Sequence, residues 1–170
     1  MRMRYVRGAI AALAGLVLAT APRAAWSQES GIAVGTQAPA AAVETLDGKP
    51  ADLAQYVGKG PVLMQFWATW CSNCKALEPQ MQAAMQKYAG KMKFVAVAVS
   101  VNQSVERVKA FRDAHGMKQD IVYDRKGNAA GNYEVPATSF IVVLDATGKV
   151  VYTGVGSDQN IDAAVRKGIN

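Results

Sequence analysis

Cys71 and Cys74 are the only cysteines of the 170-residue chain, and just Ser72 and Asn73 lie between them. Two sulfurs at this spacing can form and break a mutual bond with little backbone movement. As a structural staple the pair would achieve little, because so short a loop removes almost no entropy from the unfolded chain. The spacing therefore points to thiol–disulfide exchange. The surroundings agree: an apolar run, Val62 to Trp67, ends just before the pair, and a helical pattern opens at Ser72. At a helix start, unpaired N–H groups and the macrodipole favour negative charge, so Cys71 is expected to be the low-pKa nucleophile. Cys74, one turn in and shielded, is suited to resolve a mixed disulfide. Lys75 adds a nearby positive charge. Trp70 offers a flat apolar surface beside an exposed Cys71 sulfur, on which a substrate chain could pack.

The other candidates read more plainly. His115 is the only histidine, and two cysteines with one histidine do not make the four ligands of a structural zinc site. It falls at a helix end before Gly116, where a cationic side chain complements the dipole. Met81 and Met85 lie on the buried stripe of a helix and are expected to pack a core rather than bind copper. Glu78, just before Pro79, reads as a solvated acid, with a proton acceptor near Cys74 as the lesser reading. Asp124, Arg125, Lys126 and Gly127 read as a turn, and Gly154 with Gly156 are too few for a phosphate loop. No metal and no cofactor is expected.

These residues need elements to hold them. Ala41–Leu46, the Asp47-Gly48 turn and Pro50–Leu53 predict a β-hairpin, followed by one helical turn over Asp52–Tyr56. Val62–Trp67 reads as a strand buried on both faces. Ser72–Ala89 reads as a helix with Leu77, Met81, Met85 and Tyr88 inward and a kink at Pro79. Phe94–Val99 is a second buried strand. Asn102 and Ser104 cap a helix with Val105, Val108 and Phe111 inward, ended by Gly116. Ile121–Tyr123 is a third strand, Phe140–Leu144 and Val150–Tyr152 form a second hairpin, and Asn160 caps a last helix to Lys167. The order predicts a three-layer α/β domain with a mixed central sheet. Residues 28–40 read as an exposed lead-in.

The formal charge of +6 is misleading, because Arg2, Arg4, Arg7 and Arg23 precede residue 28 and no acid does. Residues 28–170 carry 15 basic and 13 acidic side chains, without a basic stripe interleaved with aromatics. No nucleic-acid partner is expected. Residues 1–27 read as a signal peptide: a basic start, an uncharged run from Gly8 to Thr20, and Ala25-Trp26-Ser27 as a cleavage site. The run is short for a membrane span, which takes roughly 20 residues. An uncleaved N-terminal tether to the membrane is the alternative. Both readings place the domain, residues 28–170, outside the cytoplasm.

The stretch Phe66-Trp67-Ala68-Thr69-Trp70-Cys71-Ser72-Asn73-Cys74-Lys75, with Pro79 following, resembles the thioredoxin superfamily. Gly35-Thr36-Gln37-Ala38-Pro39, Leu46-Asp47-Gly48-Lys49 and Tyr56-Val57-Gly58-Lys59 resemble its TlpA/ResA branch, as does an inserted helix–strand segment over residues 100–120. The resemblance implies a three-layer thioredoxin-like fold and a periplasmic oxidoreductase that reduces disulfides of exported proteins, including those of cytochrome maturation. A membrane thiol transporter would recharge it. Catalysis falls to Cys71 and Cys74, and substrate contact to Trp70, Thr138 and Ser139. Three departures qualify this. Gln65 stands where the superfamily has a buried aspartate, and Ser72-Asn73 replaces a proline-containing dipeptide, which would favour a more oxidising disulfide. Ser139, preceded by Thr138, falls on the cis-proline position, so a trans bond is expected there, with Pro136 as the alternative cis residue. Rival readings are a disulfide oxidant, a thiol peroxidase, a Cu(I) chaperone using the cysteine pair, and a redox-inert binding module.

Overall fold

The computed structural model describes residues 31–170; the expected signal peptide or tether over residues 1–27 lies outside them. The central strand β3 (Val62–Trp67) is buried along its whole length, Gln65 included, as expected of a largely apolar strand covered on both faces. Its side chains alternate between two cores. Val62, Met64 and Phe66 point into one, shared with Tyr133 and Phe140. Leu63 points to the opposite face, into the core of Leu77, Met81 and Ile161.

Around β3 lie the hairpin β1 (Ala42–Thr45) and β2 (Pro50–Asp52), then β4 (Lys93–Val99), β5 (Asp120–Asp124), β6 (Phe140–Leu144) and β7 (Val150–Val155). They form one seven-stranded sheet in the order β2-β1-β5-β4-β3-β6-β7. The strands β3, β4 and β5 run parallel, while β6 runs antiparallel to β3, and β1 antiparallel to β5. The sheet is mixed, as the sequence predicts. One face is covered by α1 (Ser72–Lys87), α2 (Val105–His115) and α4 (Ile161–Ile169), whose buried residues share cores with the inward side chains of β3 and β4. The other carries the short α3 (Asn128–Asn132), a single 3-10 turn at Leu53–Tyr56 and the start of the described chain.

Local chemistry fixes the ends. Ser104 Oγ accepts from the Arg107 N–H at the start of α2, and Asn160 Oδ1 from the Ala163 N–H at the start of α4. Gly116 closes α2 at φ 60°. Asn102 does not cap α2; it turns the β4–α2 loop in the left-handed region at φ 53°, a conformation asparagine tolerates better than most residues. The helix α1 continues across Pro79.

Two findings depart from the sequence expectation. The lead-in is not a free arm over its described part: Ile32 and Ala38 are buried, the Ile32 N–H donates to Tyr133 O, and Gly35 and Thr36 bond Val150 of β7. Burying the apolar side chains of Ile32 and Ala38 against the sheet outweighs the loop-like glycine, alanine and proline content of the segment. No sequence pattern marks the helix α3, whose Asn-Ala-Ala-Gly-Asn stretch has no apolar stripe. Its support is tertiary: the buried Asp124 carboxylate accepts from the N–H groups of Ala129 and Ala130, at 3.2 and 2.8 Å.

Candidate functional site

The loop that leaves β3 reaches α1 in four residues, and Cys71 is the N-cap of that helix. Its N–H donates to Ala68 O at 3.1 Å and its carbonyl accepts from the Lys75 N–H at 3.2 Å, so the residue is fixed at both ends. Its Sγ accepts from the Cys74 N–H at 3.1 Å. A sulfur at this position faces an otherwise unpaired helix N–H and the positive end of the macrodipole, which together stabilise a thiolate. Cys71 and Cys74 are joined in a disulfide, with Cα atoms 5.3 Å apart.

The pair is less open than expected. Cys71 is 4% exposed and Cys74 7%, both packed with Trp67, Ala98 and Val108. Ser72 and Asn73 face solvent instead. What projects beside the disulfide is Trp70, 41% exposed, whose Nε1 donates to Val101 O at 2.9 Å. Val101 is itself exposed, so indole and isopropyl group offer a small apolar shelf next to Cys71.

Gln103 holds this arrangement, and sequence reasoning missed it. Its Oε1 accepts from the Thr69 N–H at 2.9 Å, its Nε2 donates to Val99 O, and its carbonyl accepts from the Tyr123 hydroxyl at 2.8 Å. One side chain therefore ties the loop before Cys71 to the end of β4. Burial pushes the Tyr123 pKa up, which keeps it a neutral donor. No local pattern marks Gln103; only the neighbouring cap Ser104 was legible.

The loop before β6 differs from the family pattern as its residues dictate. No cis peptide bond occurs among the described residues, so Ser139 is trans and the alternative with Pro136 as the cis residue is not realised. Ser139 sits at φ 66°, fully buried. Its N–H donates to Phe66 O at 2.9 Å, and its carbonyl accepts from the Gly156 N–H and Gln159 Nε2. Its hydroxyl donates to Gly156 O. Both backbone groups are thus engaged within the protein. A proline could not stand here, since its ring fixes φ near −65° and it lacks the N–H that Phe66 receives. Thr138, half-buried, precedes it at the same end of the sheet.

Behind Cys74 a cavity of about 450 Å³ opens between α1 and α2. Gln65, Trp67, Met81, Met85 and Phe111 line it, so the two methionines serve the rim of a space as well as the core. Glu78 and His115 lie on it too, with His115 Nδ1 3.4 Å from Glu78 Oε1. His115 is thus more than a helix end: its ring stacks on Phe111, centroids 3.8 Å apart. Among the described residues no three His, Cys, Asp or Glu side chains gather as a metal site.

A thioredoxin-like sheet with a disulfide at the start of its central helix defines a thiol–disulfide oxidoreductase. The chain belongs to the AhpC/TSA family, whose model matches residues 34–153. It is 37% identical over 131 residues to the thioredoxin-like protein YneN of Bacillus subtilis, covering 76% of each chain. It is 30% identical over 144 residues to the thiol-disulfide oxidoreductase ResA of Bacillus thuringiensis, covering 85% of this chain and 82% of that one. The crystal structure of a thiol:disulfide interchange protein of the thioredoxin family from Chlorobium tepidum superposes with a TM-score of 0.66 at 25% identity, covering 82% of this chain and 99% of that one.

Proposed function

We propose that the protein reduces disulfides of exported proteins in the periplasm, with Cys71 as nucleophile and Cys74 as resolving thiol. The observation that carries this reading is the Cys74 N–H held on Cys71 Sγ at the start of α1. In the reduced protein the Cys71 thiolate attacks a substrate disulfide, and the departing substrate sulfur leaves as a thiolate and takes a proton. Cys74, deprotonated, then attacks Cys71 Sγ, closes the internal disulfide and releases the second substrate sulfur. The substrate gains two electrons and the protein loses two. Trp70 and Val101 supply the apolar face against which the client packs, with Thr138 at the neighbouring loop. The internal disulfide is reduced again by a membrane thiol transporter, and cytochrome maturation is the client pathway that the sequence resemblance to the TlpA/ResA branch favours. A signal peptide or tether in residues 1–27 accounts for export.

Insulin reduction driven by dithiothreitol tests the roles. Cys71→Ser is expected to abolish turnover, and Cys74→Ser to accumulate a mixed disulfide visible as an added mass on Cys71. Residual turnover in Cys71→Ser would reverse the assignment. The reduction potential decides direction: a value near about −270 mV fits a reductase, and one near about −120 mV an oxidant.

A further inference from the structure

Resolution by Cys74 needs a group that takes its proton, and Gln65, at the position where the resemblance expects a buried aspartate, is a buried amide that cannot. The cavity behind Cys74 holds an alternative. Glu78 lies four residues on along α1, hence on the same helical face as Cys74, and both residues line that cavity. From α2, His115 brings Nδ1 to 3.4 Å from Glu78 Oε1, and from α1 Gln82 Nε2 donates to the same oxygen at 3.2 Å. The other charged groups on the cavity are Lys75 of α1 and Lys118 beyond α2. Two lining residues carry buried polar atoms without a protein partner, Trp67 Nε1 and Gln119 Oε1. A cavity of this size with an unsatisfied donor and acceptor is a place where water binds. Glu78 and His115 are each about a third exposed, at 32% and 36%, so they connect that interior space to solvent.

We propose that the Glu78 carboxylate, positioned by His115, takes the Cys74 thiol proton through the cavity between α1 and α2. The step rests on the Cys71-first reading above. Cys74 Sγ–H loses its proton by way of cavity water to Glu78. The thiolate attacks Cys71 Sγ and the substrate sulfur leaves as a thiolate. Glu78 then gives the proton to His115, and His115 gives it to solvent. The same groups run in reverse when the disulfide is reduced.

Stopped-flow reaction of the reduced protein with 2,2′-dithiodipyridine separates the steps, because this neutral reagent releases one pyridinethione on attack by Cys71 and a second on resolution by Cys74. E78Q is expected to leave the first phase unchanged and to slow the second about tenfold or more near neutral pH, the low end of what a general base contributes. Its second-phase rate should keep climbing with pH where that of the wild type levels off. H115Q, which leaves the carboxylate in place, should shift the pH at which the rate levels off. Wild-type second-phase rates and pH profiles in both variants would overturn the relay while leaving the roles of the cysteines intact. A first phase kept in Cys71→Ser and lost in Cys74→Ser would instead overturn the Cys71-first order, and the relay with it.

Discussion

At the scale of single residues, the redox pair and its supports differ in how they can be found. Cys71 and Cys74 are legible because their chemistry needs only adjacency and a helix start, both local properties. Gln103 is invisible to such reading, since its importance comes from three bonds to Thr69, Val99 and Tyr123. Gln103→Ala would leave a loop N–H and a strand carbonyl without partners. Each such loss costs about 1–3 kcal/mol when the group is buried. The urea midpoint is expected to fall by a corresponding amount with an unchanged slope; an unmoved midpoint would show that the loop is held by other contacts. Ser139 lies between these cases. Its trans bond follows from its not being proline, but its inward-turned backbone groups could be seen only in three dimensions.

At the scale of elements, what the sequence reveals is what hydrophobic period and capping control. The strands β3, β4 and β6 are apolar runs, broken within only by Gln65 of β3, and α1, α2 and α4 carry inward stripes, so each emerges within a few residues of its observed span. The helix α3 fails this test because five residues with no stripe are held by a carboxylate outside them. Asp124→Ala removes the acceptor for Ala129 and Ala130 in a buried place. It is expected to destabilise the protein by about 1–3 kcal/mol. Amide exchange should speed up first in residues 128–132, and equal protection there in wild type and variant would contradict the cap. The lead-in misleads for the opposite reason: its glycine, alanine and proline content hides two apolar anchors, Ile32 and Ala38.

For the whole molecule, the three-layer order was recoverable because parallel and antiparallel pairings follow from connection length, long through helices and short through turns. Titration acts on that assembly as a unit. Burial, then the charge of Asp120 and a hydrogen bond to it, raises the Tyr56 pKa from 10.0 to about 12. Burial likewise pushes the Tyr133 pKa up, with Asp52 adding to it. A raised pKa means that the folded state favours the protonated phenol. The associated stability is complete below pH 10 and is lost as pH rises from there towards the folded values. Urea unfolding at increasing alkaline pH should therefore show a falling free energy, and Tyr56→Phe should flatten that fall. A slope unaffected by the substitution would place the alkaline lability elsewhere.

The borders of the sheet shape how such a protein meets its clients. On one side β2 is three residues long and begins with Pro50, which has no N–H to offer. On the other, Gly35 and Thr36 already occupy the backbone of Val150 at the start of β7. Unfolded polypeptides readily zip onto bare strand borders. The border at β2 is thus short and starts on a proline, while at β7 the lead-in covers the end at Val150 and Val151–Val155 stay on the edge of the sheet. On the function proposed above, a half-folded client would be gripped at its sulfur and at the indole beside it, with β2 and the start of β7 offering it little bare backbone to join.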